Sequence, residues 1–518
     1  MTTHNASRRL FLRHAGALSG TLGAAAAPLA LNLSALSSAA AQSASDYKAL
    51  VCIFLFGGND SINMVLPTDT DSWTNYTTVR NQAPDSIALL APGTAVNAAV
   101  AAASPARLGG VLPITPTRAQ GRTFALHPMM STLQTMFNTD KRLAILPNVG
   151  PLIVPTTKVQ YNARSVGLPV NLYSHNDQQN TWQSFKPEGA TQGWGGLMGD
   201  LLAAQNGRAV FTAISTSGNN VWLSGQTVRQ YQVGSNGAIR MGTNVNNQIY
   251  GSATVGTAMK AIVTATRGGH VFESDLASIS ARSIDAEETL RTVLKVPENP
   301  LFGTAPMPGA TYNANNDPKL QYDNPLNGTK SFNSLAQQLQ VVARMIDASA
   351  ASGVAAKRQV FFVSLGGFDT HDAQNRGHAD LYARLAHAMR YFDTTLTGMG
   401  ALNKVTTFTA SDFGRTFTSN GDGTDHGWGA HHFVMGGAVK GGDLYGTFPV
   451  LGAKNANNNN FDSSADQLGN GALLPTTSVD QLGATLAKWF GISDADALTV
   501  FPHLASFTTR DLGFMNAG

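Results

Sequence analysis

Residues 360–371 (VFFVSLGGFDTH) decide the fold of this chain: an apolar run is followed by two glycines and then by Asp369 and His371. Residues 405–415 (VTTFTASDFGR) repeat the arrangement, since a second apolar run ends at Asp412. Such runs are typical of strands that are buried on both faces of a parallel sheet. Apolar residues at helical spacing lie between the two runs, so the segment predicts a strand–helix–strand unit.

The same alternation extends to both sides of this unit. Lys48–Phe56 (KALVCIFLF), Leu143–Leu146 and Ala209–Ile214 are further predicted strands. Apolar residues at helical spacing predict helices over residues 270–294 and 479–490. We therefore predict an α/β fold, with a doubly wound, mainly parallel sheet that is flanked by helices.

Three stretches rich in Gly, Asn, Pro, Thr or Ser interrupt this pattern. Residues 68–122, 216–257 and 297–332 are predicted to be loop-rich excursions. No internal repeat accompanies them, so we expect one α/β domain over residues 42–518 rather than several domains.

The N-terminus predicts export. Residues 7–13 (SRRLFLR) have the form of a twin-arginine signal, and an Ala-rich segment then reaches a small-residue cleavage site at residues 39–41. A membrane-spanning N-terminus is disfavoured because Gly, Pro, Ser and Asn interrupt the apolar segment. We predict a signal peptide over residues 1–41, the twin-arginine export machinery as a partner, and a periplasmic or secreted product.

The charge of the chain also belongs to this signal. Its three arginines, Arg8, Arg9 and Arg13, equal the whole formal net charge of +3, and residues 1–41 hold no acid. The remaining chain therefore gives no reason to expect a nucleic acid as a partner. No later run of ~18 apolar residues predicts a membrane span. Cys52 is the only cysteine, which excludes an intrachain disulfide and a cysteine-based zinc site.

Acidic and imidazole side chains follow several predicted strands. They are Asp60, Asp369, His371 and Asp412, and His426 lies in a later glycine-bounded loop. The carboxyl ends of parallel strands meet at one edge of a sheet, so these groups would converge there and bind a divalent ion. An isolated Asp after a strand more often caps the next helix or turn, and this alternative stays open for Asp60 and Asp412.

Several common catalytic motifs are absent from the sequence. The chain has no Gly-x-Ser-x-Gly nucleophile elbow, no phosphate-binding Gly-x-x-x-x-Gly-Lys-Ser/Thr and no His-Glu-x-x-His. It also lacks Gly-x-Gly-x-x-Gly after a strand, which disfavours a dinucleotide-binding enzyme.

Four motifs in combination are similar to those of a known family. They are LFGGNDSINMVLP at 55–67, SLGGFDTHDAQ at 364–374, SDFGRT at 411–416 and GTDHGWGAHHFVMGG at 423–437. Together with the predicted signal, they resemble the domain-of-unknown-function family 1501. That family consists of exported bacterial proteins placed in the alkaline phosphatase/sulfatase superfamily. The resemblance covers essentially the whole chain after the signal.

The resemblance implies one or two divalent ions held by Asp and His side chains. By position, the metal ligands would be Asp60, Asp369, His371, Asp412 and His426, and the ion would be zinc, manganese, magnesium or calcium. A single ion at Asp369, His371 and His426 is equally compatible with the sequence. Phe413 departs from the superfamily pattern, in which a histidine directly follows the late Asp.

The resemblance also implies a hydrolase that acts on phosphate or sulfate esters of a small molecule or a polymer. Ser174, beside His175, lies in the part of the chain where the superfamily nucleophile falls, but its surroundings do not match that nucleophile motif. A water molecule activated by the metal is the alternative nucleophile. Arg415 would stabilise the anion. The rival hypothesis is a non-catalytic binding or assembly protein of the cell envelope that retains the fold.

Overall fold

The central strand of the fold is β1, Lys48–Phe56, whose side chains alternate between two cores. Ala49, Val51, Ile53 and Leu55 pack into one apolar cluster. Leu50, Cys52 and Phe54 pack into a second cluster on the opposite face of the sheet. Burial of both faces explains why the sequence of this strand is apolar throughout and does not alternate with polar residues.

The computed structural model describes residues 46–516, with gaps at 236, 239, 241, 244–245 and 266–269. The predicted signal peptide at residues 1–41 lies outside the described residues. From Tyr47 onward the chain forms one compact unit. None of the helices in the described ranges is long and apolar enough to cross a membrane.

The strands and helices of the described residues are numbered in chain order. The strands are β1 Lys48–Phe56, β2 Val65–Pro67, β3 Leu112–Ile114, β4 Phe124–Leu126, β5 Leu143–Gly150, β6 Ala213–Ser215, β7 Tyr231–Gly234, β8 Gly237–Ala238, β9 Gln321–Asp323, β10 Lys330–Phe332, β11 Arg358–Gly366, β12 Val405–Ser411, β13 Arg415–Ser419, β14 Thr424–His426, β15 Ala430–Met435 and β16 Thr477–Ser478. The α-helices are α1 Ser61–Met64, α2 Thr70–Arg80, α3 Pro105–Leu108, α4 Ser131–Asn138, α5 Lys158–Ala163, α6 His175–Ser184, α7 Trp194–Leu202, α8 Ala253–Thr264, α9 Val271–Val293, α10 Ser334–Asp347, α11 Gln374–Gly398, α12 Val479–Phe490 and α13 Asp494–Val500.

Nine of these strands form the main sheet in the order β16-β5-β15-β12-β1-β11-β6-β7-β8. β1 pairs in parallel with β11 on one side and with β12 on the other. β15 runs antiparallel to both of its neighbours, and β8 runs antiparallel to β7. The sheet is therefore mixed but mainly parallel.

Helices cover both faces of this sheet. One face packs against α4, α10 and α11 through residues such as Leu133, Leu339 and Leu385. The other face packs against α6, α7 and α12 through residues such as Trp182 and Leu486. This arrangement confirms the predicted doubly wound α/β fold.

The three predicted excursions contain more regular structure than their composition suggests. Residues 68–122 include α2, whose N-terminus is capped by the Asp69 side chain and whose last residue, Arg80, is fully buried. Residues 216–257 contribute β7, β8 and the start of α8, and residues 297–332 contain the β9–β10 hairpin. The polar composition of α2 hid a helix that forms because Tyr76 and Arg80 are buried against the rest of the chain.

This topology places the carboxyl ends of three central strands side by side at one edge of the sheet. β1, β11 and β12 are neighbours and run in the same direction, so their carboxyl ends lie side by side. The loops that begin at Gly57, Gly367 and Asp412 therefore start at the same edge, where α/β proteins commonly bind ligands.

Candidate metal centre

Asp369 lies in the loop after β11, and Gly57 in the loop after β1 lies directly against its backbone. Gly57 has φ +115°, and a Cβ atom built on it would lie 2.3 Å from the backbone nitrogen of Asp369. The loop after β1 can therefore contact the loop after β11 only with glycine at this position. The backbone nitrogen of Gly57 also donates to both carboxylate oxygens of Asp412, at 3.2 Å.

Three imidazole nitrogens converge on one oxygen of Asp369. The Nε2 atoms of His371, His426 and His175 lie 3.1, 3.4 and 3.5 Å from Asp369 Oδ1. The Nε2 atoms of His371 and His426 lie 3.0 Å from each other. The ligand atoms of His175, Asp369 and His426 all fall within 4.8 Å of one another, which defines a candidate metal centre.

The three histidines come from different parts of the chain. His371 follows Asp369 in the same loop. His426 ends β14, which pairs with β13 as an antiparallel hairpin. His175 is the first residue of α6, so the start of that helix brings its imidazole to the sheet edge.

Hydrogen bonds to the other ring nitrogens fix the orientation of two of these imidazoles. His175 Nδ1 lies 2.7 Å from Asp412 Oδ2, and His426 Nδ1 lies 2.7 Å from the carbonyl oxygen of Tyr173. Both partners act as acceptors, so each Nδ1 carries a proton, and each ring in its neutral form presents a bare Nε2. Metal-binding histidines commonly have a second hydrogen bond of this kind.

The pKa values of these groups are shifted from their ordinary values. The hydrogen bond with Asp412 is the main reason why the pKa of His175 is raised. Burial lowers the pKa of His426. Burial acts to raise the pKa of Asp369, but the hydrogen bond and charge of Arg415, with two nearby histidines, bring its pKa below the ordinary value. Asp369 is therefore ionised at neutral pH.

The residues present fit a bound cation. His175 Nε2 is buried and has no hydrogen-bond partner among the described residues, although it points towards Asp369. Zn²⁺ takes nitrogen ligands at about 2.0–2.1 Å, so the ligand atoms of a tetrahedral site lie about 3.3 Å apart. Asp369 Oδ1 lies 3.4 Å from His426 Nε2 and 3.5 Å from His175 Nε2, which matches that spacing. A cation would give the orphaned His175 Nε2 the partner that it lacks.

Asp60 does not join this cluster. Both of its carboxylate oxygens contact the Arg80 guanidinium, at 2.5 and 3.0 Å, and Gln374 Nε2 donates to Oδ2 at 2.7 Å. Asp60 and Arg80 are fully buried. The carboxylate that was expected to bind metal instead forms a buried ion pair, because α2 brings Arg80 to the end of β1.

Asp412 lies behind the centre rather than within it. It is fully buried, and its Oδ2 accepts hydrogen bonds from His175 Nδ1 and from Gln179 Nε2, the latter at 2.8 Å. In this arrangement Asp412 positions His175 and does not itself face Asp369. The ring of Phe413 packs against His175 and His426, with centroids 4.8 and 4.7 Å apart.

Arg415 and Ser174 have contacts other than those expected from the sequence. The buried guanidinium of Arg415 donates to Asp369 Oδ1 at 2.8 Å, to the carbonyl oxygen of Gly57 at 3.0 Å and to Thr424. It is therefore engaged in holding Asp369 rather than facing solvent, where an anion would bind. Ser174 is the N-cap residue of α6, where its hydroxyl makes no capping hydrogen bond, and its side chain is the main cause of the lowered pKa of Asp177.

Two features of the centre were not predicted. His175 was expected beside a nucleophile, whereas the structure brings its Nε2 to Asp369. Asp425 was not singled out, yet its Oδ1 lies 3.5 Å from His371 Nδ1. The Ser174-His175 sequence had drawn attention to His175, but no local sequence pattern linked this histidine to Asp412.

The fold and this centre define an α/β protein with His and Asp side chains gathered at the carboxyl edge of its sheet. The chain belongs to the family described as Protein of unknown function (DUF1501), whose model matches residues 47–500. No curated protein matches the chain.

Solved structures resemble the chain only distantly. A protein of Bacteroides thetaiotaomicron, described with the metabolism of multiple glycosaminoglycans, shares 9% identity at a TM-score of 0.32, over 87% of this chain and 74% of that one. The PsFucS1 sulfatase from Pseudoalteromonas sp. shares 9% identity at a TM-score of 0.31, over 94% of this chain and 76% of that one. Values this low carry no argument about activity.

Proposed function

We propose that the protein is a metal-dependent hydrolase of phosphate or sulfate esters with one metal ion per chain. The observation that carries this proposal is the convergence of His175 Nε2, Asp369 Oδ1 and His426 Nε2 within 4.8 Å. Three protein ligands with an open fourth position are typical of catalytic rather than structural zinc sites. The ester class rests on the motif resemblance described above.

The chemistry of the ligands favours a transition metal. Two imidazoles and one carboxylate suit zinc, iron or manganese, whereas magnesium and calcium prefer sites built from oxygen ligands alone. A divalent ion bound by these groups would supply Lewis-acid chemistry for ester hydrolysis. Only one ion is proposed because both oxygens of Asp60 are engaged by Arg80.

The chain's own residues have distinct roles in this proposal. His175 and His426 bind through Nε2, and their Nδ1 hydrogen bonds hold the rings in place. Arg415 and Gly57 fix the position of Asp369 from the protein side. Phe413 covers the inner faces of both histidines and excludes water there.

His371 is assigned the transfer of a proton at Nε2. It is 45% exposed, so it lies on the side of the centre from which a substrate would enter. Its Nδ1 lies near the Asp425 carboxylate, which can orient the ring. A half-exposed histidine beside the reacting group can give a proton to a leaving alcohol or take one from water.

The proposal is tested on the natively exported protein by elemental analysis and by assays with aryl phosphates and aryl sulfates. We expect about one metal ion per chain and metal-dependent turnover. His175→Gln should lose both the metal and the turnover. His371→Gln should retain the metal but lose at least about 100-fold in turnover, the usual contribution of a general acid or base. Metal-free native protein, or turnover that both variants retain, would contradict the proposal.

A non-catalytic metal-binding protein of the cell envelope is the second candidate. The observation that favours it is that His175 Nε2 has no hydrogen-bond partner among the described residues, so Ser174 is not paired with the imidazole beside it as an activated nucleophile would be. The same experiment separates the two candidates. Metal that depends on His175, without turnover of any ester, would support the binding function.

A further inference from the structure

Helix α8 lacks the buried face that normally stabilises a helix of its length. Of its twelve residues, Ala253–Thr264, only Gly256 is buried. A cavity of about 1200 Å³ is lined by residues of both α8 and α9, among them Met259, Val263 and Ile284. Isolated helices of about 12–15 residues are marginal in water, and most helices in proteins depend on packing of an apolar face. α8 therefore needs a packing surface that the described residues of one chain do not provide.

Both helices display an apolar stripe to solvent. On α8 the stripe consists of Val255, Met259 and Ile262, which are spaced at i, i+4 and i+7. On α9 the same spacing recurs at Phe272, Leu276 and Ile279. Residues at these intervals lie on one face of a helix. Phe272 and Leu276 are 80% and 65% exposed, so the described part of the chain does not shield their stripe.

The exposed apolar surface of the protein is concentrated in this region. Of the sixteen large apolar side chains that are exposed among the described residues, eight lie between Tyr250 and Ile279. Scattered exposed apolar side chains are normal, but a contiguous patch above about 300–600 Å² commonly marks an interaction site. The concentration on two adjacent helices indicates such a site.

The charges beside the α9 stripe indicate what covers it. Asp275 and Arg282 are both exposed, and neither forms an ion pair with any described residue. They are seven residues apart, so they lie on the same side of α9 and about 10 Å apart along its axis. If two copies of α9 pack antiparallel about a two-fold axis near Ile279, Asp275 of each copy faces Arg282 of the partner subunit. The helix is therefore complementary to itself.

We infer that helices α8 and α9 form a homodimer interface with a second copy of this chain. The two-fold pairing brings together the Leu276–Ile279 part of each α9 stripe, and it makes two equivalent Asp275–Arg282 ion pairs beside it. Such a self-complementary contact is the usual arrangement in soluble homo-oligomers. A negatively charged membrane fits less well, because Glu273 and Asp275 lie beside the most exposed apolar residues.

The oligomeric state of the full chain tests this inference, measured by light scattering and sedimentation equilibrium at about 10 μM chain. We expect a dimer. Leu276→Asp should weaken dimerisation at least about tenfold, since it places two carboxylates in the interface. Val159→Asp is the matched control, because Val159 is also highly exposed but lies on α5, and it should leave the dimer unchanged.

A charge exchange tests the proposed pairing itself. Asp275→Arg and Arg282→Asp should each weaken the dimer because like charges then face each other, and the double variant should restore it. All these positions are exposed, so circular dichroism and metal content should match the wild type in every variant. A monomeric wild type, a double variant no better than the single ones, or binding to phosphatidylglycerol vesicles that depends on Leu276 would overturn the inference.

Discussion

The Nδ1 atom of His175 lies 2.7 Å from Oδ2 of Asp412, and this contact joins the first turn of α6 to the end of β12. It leaves the opposite nitrogen, Nε2, buried without a hydrogen-bond partner among the described residues and directed at Asp369. The buried carboxylate thus acts through the histidine. The geometry of the centre therefore depends on Asp412, although Asp412 is not one of the ligands proposed for the ion.

Asp412→Asn should therefore weaken metal binding without removing a ligand. The amide can present a donor to His175 Nδ1, which lets the ring turn or exchange its tautomer so that Nε2 no longer offers a lone pair. Loss of such an outer partner typically costs 10–100-fold in metal affinity. Competition with a chelating dye measures the effect.

Asp425→Asn is the matched control for that experiment. Asp425 approaches His371 Nδ1 only to 3.5 Å and is 63% exposed, so its removal should change the affinity by much less. Equal losses in the two variants would mean that Asp412 has no special positioning role.

The buried pair of Asp60 and Arg80 predicts a large effect on stability and none on metal content. Asp60→Asn leaves the Arg80 guanidinium without its counter-charge in a fully buried site, which typically costs about 3–5 kcal/mol in the free energy of unfolding. Urea denaturation measures this cost. The exposed pair of Lys330 and Asp323 provides the control, since Asp323→Asn should cost only about 0–1 kcal/mol.

Metal analysis of the same Asp60→Asn protein completes the test. One ion per chain should remain, because Asp60 contacts Arg80 and Gln374 rather than the histidines. A wild type with two ions, one of which is lost on this substitution, would show that Asp60 is a ligand after all.

The sequence was sufficient to predict the framework of the fold. β1 is apolar from Ala49 to Phe56 because both of its faces are buried, and α12 is preceded by its N-cap Ser478, whose side chain forms a capping box with Gln481. These are local signals. They identify each element without knowledge of its neighbours, and the alternation of strands and helices then limits the sheet to a doubly wound form.

The centre could be predicted only in part, because its hydrogen bonds join distant segments. Asp369 and His371 follow a strand and were recognisable from that position, and His426 was recognisable from its glycine-bounded segment. The contact of His175 with Asp412 spans 237 residues, and no local pattern indicates it. For Asp60 the structure shows the alternative that was left open, since its side chain caps α1 by accepting from Ile62 N, and its partner Arg80 ends a helix whose polar composition resembled a loop.

Gly57→Ala should damage the centre although it introduces only one methyl group. At φ +115° the new Cβ atom would lie 2.3 Å from the backbone nitrogen of Asp369, so the loop that carries this residue must move. We expect a lower melting temperature and reduced metal content. Gly189→Ala is the control, since Gly189 has φ +94° but open space around its Cβ position.

That control separates backbone strain from displacement of the loop. Strain at a positive φ costs on the order of 1–3 kcal/mol at both glycines. Only Gly57→Ala should also lose metal. If both variants retain the wild-type metal content, the close approach of Gly57 to Asp369 does not determine the geometry of the centre.

The buried histidine His432 should make stability depend on pH in the acid range. Burial lowers its pKa to about 3 in the folded protein, whereas an unfolded histidine has a pKa of about 6.5. Between these values the unfolded chain binds one more proton than the folded chain, so the free energy of unfolding falls as the pH falls, by up to about 1.4 kcal/mol per pH unit.

His432→Asn should remove this contribution. The slope of the free energy of unfolding against pH, between pH 6 and 4, should then decrease by an amount that corresponds to about one bound proton. Urea denaturation at several pH values measures the slope, with the exposed His270→Asn as a control that should leave it unchanged. An unaltered slope in His432→Asn would show that this ring gains its proton without unfolding.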